Sequence, residues 1–208
     1  MLRNLIVDQL KESAEVKIKL VEEGVETIVQ ACDLIAKAFR DGGKVLLIGN
    51  GGSAADAQHI AGEWTAHFKL KRKALPALAL TTNTSIITSI VNDARDDSEF
   101  ARQVEAFANH PADLLIAITT SGNSANILEA VKLAKHKNIT VVGLTGSGGG
   151  KLKDMADLSI IVPSNDTQRI QESHITIGHI MCDVVEQKLF LLETHDNEGK
   201  NSSPQIFQ

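Results

Sequence analysis

Lys44-Val45-Leu46-Leu47-Ile48-Gly49-Asn50-Gly51-Gly52-Ser53 decides the fold. Its apolar run is too short for a helix and lacks the alternation of a half-exposed strand, so it reads as a strand buried on both faces. The glycines then permit a tight turn, and a helical pattern follows from Ala54 to Phe68. Such a turn presents backbone amides at a helix N-terminus, where an anion is stabilised. Ser53 is placed to cap that helix and to offer a hydroxyl. The lysine and spacing of a nucleotide P-loop are missing, as is the full G-x-G-x-x-G, so no nucleotide cofactor is expected.

Upstream, apolar residues recur at helical spacing, as Leu5, Leu10, Val16 and Leu20, then Ile28, Ala31, Ile35 and Phe39, with Gly24 between the two runs. Two helices open the chain. Downstream the strand–helix alternation repeats: Ala77–Leu80, helical stretches to Phe107, Leu114–Ile118, a helix from Ala125 to Lys137, Thr140–Leu144, a short helix near Leu152, and Leu158–Val162. The expected fold is α/β: a doubly wound, mainly parallel sheet of about five strands with helices on both faces, binding its ligand at the carboxyl ends of the strands. A final helix is expected from about Gln168 to Leu192. One domain over 1–192 accounts for the pattern, and the polar tail 193–208 is expected to be disordered.

The net charge of -5 and the thin spread of basic residues argue against nucleic acid as a partner; the one basic cluster, Lys69 to Lys73, reads as a solvated loop. Aromatic content of 3%, with no tyrosine, argues against an aromatic-lined sugar groove and favours a small charged ligand. Cys32 and Cys182 sit in apolar helical patterns without metal-ligand spacing, which predicts buried free thiols in a reducing compartment. With no membrane span or signal peptide apparent, the cytoplasm is the expected location.

A second loop, Thr119-Thr120-Ser121-Gly122-Asn123-Ser124, also joins a strand to a helix and carries four hydroxyls. One hydroxyl would satisfy a helix cap, so the cluster points to a phosphate monoester. His59 and Glu63, four apart in the helix after the first loop, project from one face and can act on one ligand, or they form a surface ion pair. In the last helix Gln171 and His179 intrude on a buriable pattern, which costs stability unless they are partnered or used. A carboxylate and an imidazole can take and give protons on one ligand.

These residues together resemble a known family. Gly49 to Ser53, the hydroxyl loop with Asn126, and Gln168-Arg169-Ile170-Gln171-Glu172-Ser173-His174 are similar to the phosphoheptose isomerase branch of the SIS-domain family, in order and spacing, over about Leu2 to Phe190. The resemblance implies sedoheptulose 7-phosphate as substrate, Glu63 as base at carbon and His179 as acid at the sugar oxygens. It implies substrate contacts from Asn50, Gly51, Gly52, Ser53, Asp93, Thr119, Thr120, Ser121, Ser124 and Gln171. It also implies zinc held by His59, Glu63, Gln171 and His179, a homo-oligomer such as a tetramer, and a place at the start of ADP-heptose synthesis for surface glycan. Two departures stand out: His67 where many relatives carry arginine, and Gln168 where some carry aspartate.

The rival reading is a non-catalytic SIS protein that binds a sugar phosphate or the replication initiator. Those that resemble the initiator-binding type lack the glutamate and histidine present here as Glu63 and His179. Gln171 and His179 are about 12 Å and about 80° apart on one helix, so if both serve one site, either the helix begins late and frees Gln171 to bend in or, as expected here, the two come from different chains.

Overall fold

The computed structural model describes residues 1–94 and 97–192. Five strands, β1 (Val45–Gly49), β2 (Ala77–Ala79), β3 (Leu114–Ile118), β4 (Thr140–Thr145) and β5 (Leu158–Ile161), form one sheet in the order β2-β1-β3-β4-β5. Every neighbouring pair is parallel. From β1 the chain passes out to β2 on one side and returns to β3 on the other. The carboxyl ends of β1 and β3 therefore flank a topological switch point, where the loops diverge and where such sheets bind their ligands.

Every residue of β1 and β3 is buried, because helices cover both faces. Val45 and Leu47 join a core with α1 (Leu2–Glu23), α2 (Val25–Arg40), α3 (Gly52–Thr65) and α8 (Thr167–Gln187). Leu46 and Ile48 point the other way, into a core with α5 (Glu99–Phe107), α6 (Ala125–His136) and α7 (Leu152–Met155). Each such Leu or Ile contributes about 1.5–3 kcal/mol on burial. The remaining helix is α4 (Thr84–Ala94). Cys32 and Cys182 are buried free thiols, as expected. Among the described residues no helix is long and apolar enough to cross a membrane.

At the amino ends of the strands, Asp113 is 1% exposed and accepts hydrogen bonds from the backbone of Lys44, Asn109 and His110 and from Lys44 Nζ, at 2.8–2.9 Å. Burial pushes its carboxyl up, but the bonds donated by Lys44 and His110 outweigh that and hold it below the ordinary carboxylate range. One side chain thus ties together the chain entering β1 and the turn entering β3.

Some boundaries differ from the sequence expectation. The helix after the first loop stops at Thr65, short of Phe68. There the backbone N–H groups of Phe68, Lys69 and Leu70 turn aside to Glu186, and Arg72 takes the freed carbonyls of Glu63 and Trp64. The last helix keeps α-helical form to Gln187, and Lys188–Leu192 makes a π-helical turn. The polar tail lies outside the described residues. Gly24 divides α1 from α2, and of α1 only Val16 and Leu20 are buried. Leu2, Leu5, Ile6, Leu10, Ile18 and Val21 are exposed on it.

Candidate active site

α3 and α8 lie side by side and run in the same direction. Gln171 faces Gly52, Gly178 faces Ile60, His179 meets His59, and Glu186 meets the backbone just beyond α3. The approach depends on absent side chains: a Cβ on Gly178 would stand 2.6 Å from Ile60 Cδ1, and one on Gly52 would stand 2.7 Å from the Gln171 amide.

Where the helices meet, His59 Nε2 lies 3.0 Å from His179 Nε2 and 3.1 Å from Glu63 Oε1. All three ligand atoms fall within 4.8 Å of one another. One hydrogen on His59 Nε2 cannot serve both short contacts. Donated to Glu63 it leaves the two imidazole nitrogens facing each other without it, and donated to His179 it leaves the carboxylate unpaired. A cation among the three atoms would satisfy all of them, and the N/O donor set and spacing suit zinc, whose bonds run about 2.0–2.2 Å. The side chains of His59 and Glu63 are 47% and 27% exposed, so a small ligand can reach them. Phe68 lies nearly flat against the His179 ring, with centroids 5.7 Å apart and planes 18° from parallel.

Asp56 shares the stripe of α3 that carries Gly52, His59 and Glu63. One of its carboxylate oxygens is buried without a hydrogen-bond partner among the described residues. Burial pushes its carboxyl up to about 6, against the smaller opposing pull of His59.

The hydroxyl loop follows β3. Thr119 Oγ1 lies 2.9 Å from Ser124 Oγ and 3.5 Å from Ser121 Oγ, and the Asn123 backbone donates to Ser121 Oγ. Ser124 occupies the N-cap of α6 yet makes no side-chain capping bond, so capping does not account for its hydroxyl. Thr120 is bound through its carbonyl to Gly146 N. Gly122 sits at φ +66°, and a Cβ there would stand 2.0 Å from Gly149 O, so the loop after β4 fixes the shape of this one. The two ligand loops are joined as well. Asn50 and Asn126 exchange amide hydrogen bonds at 2.9 Å each way, and Asn126 also donates to the buried carboxylate of Glu99.

In the first loop Gly51 takes φ +54° at the N-cap of α3. Ser53 is 3% exposed inside the first turn and makes no capping bond, which corrects its expected capping role. Asp93 lies exposed in the last turn of α4, where Asn92 donates to it. His67 and Gln168 are exposed. The expected division of Gln171 and His179 between chains is corrected for His179, which meets His59 and Glu63 within its own chain. Parallel packing removes the difficulty, because each α8 residue meets a different level of α3. Sequence reasoning missed Asp56, although its spacing from His59 and Glu63 marks the same face. It also missed Phe68, Arg72, Glu99 and Glu186, whose partners are set by tertiary packing and leave no local signal.

Residues 10–146 match the model of the SIS domain. The chain is 52% identical over 191 residues to the phosphoheptose isomerase of Clostridium acetobutylicum, covering 91% of this chain and 97% of that one. It is 52% identical over 177 residues to the phosphoheptose isomerase of Aquifex aeolicus, covering 85% and 92%. Among solved structures, the phosphoheptose isomerase of Neisseria gonorrhoeae superposes with a TM-score of 0.85 at 43% identity, covering 90% of this chain and all of that one. With a parallel sheet, a topological switch point and a histidine–glutamate cluster where α3 meets α8, the chain belongs to the SIS-domain family, in its phosphoheptose isomerase branch.

Proposed function

We propose that this chain is an aldose–ketose isomerase that converts sedoheptulose 7-phosphate into D-glycero-D-manno-heptose 7-phosphate through an enediol, the first step towards ADP-heptose. One observation carries the reading: the convergence of Glu63, His59 and His179 within 4.8 Å of one another where α3 meets α8. The phosphate is held by Ser53, Thr119, Thr120, Ser121 and Ser124, with the amides of Asn50, Gly51 and Gly52 turned to the same ligand and the α6 N-terminus supplying its dipole. Gln171 and Asp93 contact the sugar.

Glu63 removes the proton from C1 as the C2 carbonyl oxygen takes one from His179, giving the enediol. Glu63 then returns its proton to C2 while His179 recovers one from the O1 hydroxyl, which leaves the C1 aldehyde. The two groups end as they began, and no proton is gained or lost. His59, Glu63 and His179 would hold zinc; Gln171 stands outside that set in its own chain, because it packs against Gly52, about two turns away along both helices. Bound there, the ion supplies positive charge where negative charge develops on the sugar oxygens.

The apolar residues exposed along α1 are best covered by other copies of the chain, and we assign a homotetramer on that ground. We read 1–192 as one domain, because both cores share one sheet. Two buried free thiols favour the cytoplasm, and the product would feed lipopolysaccharide core synthesis. The direct test incubates the purified protein with sedoheptulose 7-phosphate and follows the aldoheptose phosphate. Absence of product from the zinc-supplemented protein would overturn the assignment.

A further inference from the structure

We infer that the buried carboxylate of Glu186, acting through the 68–72 turn and Arg72, positions both Glu63 and His179; the inference rests on reading those two residues as base and acid. Glu186 stands seven residues beyond His179 on α8 and is fully buried. Four donors converge on it. Phe68 N and Arg72 Nε reach Oε1 at 2.8 and 2.7 Å, while Lys69 N and Leu70 N reach Oε2 at 2.9 and 3.0 Å. Three successive backbone N–H groups around one carboxylate make an anion nest, here closed by a guanidinium whose side chain is 1% exposed. A buried carboxylate is costly unless it is paired and its oxygens are satisfied, and here both conditions hold.

What the nest holds in place touches the chemistry on both sides. Phe68, whose N–H is the first donor, lays its ring on His179 at 18° from parallel, so the turn builds one wall of the imidazole site. Arg72, tied to Glu186 through Nε, donates from Nη1 to Trp64 O at 2.8 Å and from Nη2 to Glu63 O at 3.0 Å. The backbone of Glu63 is therefore fastened to α8 through one guanidinium. Cys182 lies among these groups: burial first, then the Glu63 and Glu186 carboxylates, push its thiol up. Glu186 fixes the last turn of α3 and the ring over His179 together, so the base and the acid are set relative to each other by a residue that touches neither the sugar nor its phosphate.

The test separates positioning from mere folding. Phe68→Leu keeps an apolar side chain but removes the flat ring; it should lower kcat about tenfold, since small displacements of reacting groups are costly. Phe68→Tyr, which restores the ring, should recover most of that loss. Glu186→Gln should lower kcat at least as far per folded molecule, with folded fraction read by circular dichroism. In all three, inhibition by inorganic phosphate should stay within about twofold of wild type, because the hydroxyl loop is held by separate contacts. Wild-type kcat in both Phe68→Leu and Glu186→Gln would overturn the inference. So would equal loss in the Leu and Tyr variants, or phosphate inhibition weakening in step with kcat. Should Glu186→Gln not fold, the Phe68 pair decides alone. An inactive wild type would instead sink the isomerase reading, a different result from active wild type with unaffected variants.

Discussion

Asp113 and Asp56 stand at opposite ends of the same sheet and are treated in opposite ways. Asp113, below the strands, receives four hydrogen bonds and is held below the ordinary carboxylate range. Asp56, in the second turn of α3, keeps one oxygen buried and unpartnered among the described residues, and burial pushes it up to about 6. At the floor, polar groups are spent on the fold. Along α3 and where it meets α8 they are left facing one another, as His59, Glu63 and His179 do, or partly unsatisfied, as Asp56 is, which is the condition under which they can serve a ligand. Substitutions at Asp113 and in this helix pair should therefore fail in different ways.

The largest effect is expected in the histidine–glutamate cluster. Glu63→Gln keeps the shape but removes the base, and kcat should fall at least about hundredfold with the melting temperature nearly unchanged. Normal turnover would remove Glu63 from the chemistry and erase the contrast. Next, Asp113→Ala strands several donors at the floor and should cost about 3 kcal/mol in denaturant unfolding, with kcat per folded molecule preserved. A fall in kcat without loss of stability would mean that the floor also serves function.

Ser124→Ala extends the comparison to the carboxyl ends of the strands. Its hydroxyl bonds Thr119 rather than capping α6, so its loss should raise KM roughly fivefold and weaken inhibition by inorganic phosphate, with stability changed by less than about 1 kcal/mol. A drop in helix stability with unchanged KM would return the loop to a structural role.

The smallest effect has a pH signature. The folded-state value of Asp56 lies above its ordinary 3.8, so this carboxylate penalises the fold above about pH 6. The penalty fades as pH falls from there towards 3.8. Asp56→Asn should therefore raise the melting temperature by about 2–4 °C at pH 8 and by less at pH 5. The same gain at both values would show that charge is not the cause.

The strands were legible because burial on both faces leaves an unbroken apolar run, as Val45 to Ile48 and Leu114 to Ile118 show. The hydroxyl loop and the His59–Glu63 spacing were legible because they are local. The direction in which α3 meets α8 was not, since a helical wheel gives angles within one helix and nothing about its neighbour. The polar residues of α8 show the limit well. His174 is fully buried, on the side of α8 that carries Ile170, Ile177 and Met181, and burial pushes its imidazole down to about 4, so it is a neutral core group. His179, on the same helix, faces His59 and Phe68, and no property of either residue alone tells them apart. Glu186 reads in sequence as an ordinary helical charge, because its donors lie more than a hundred residues earlier.

Parallel packing of α3 and α8 makes the chain unequally tolerant of insertions and deletions. Seven residues separate Gly52 from His59 on one helix and eight separate Gln171 from His179 on the other. A single added or lost residue in either interval turns everything beyond it by about 100° and shifts it by about 1.5 Å, which carries an imidazole off the shared face. Connections that touch neither the ligand loops nor the 68–72 turn face no such restriction, since a longer connection costs only a little closure entropy. An insertion-scanning library should thus find two short forbidden windows in α3 and α8, whose boundaries mark out the active site without any knowledge of the substrate.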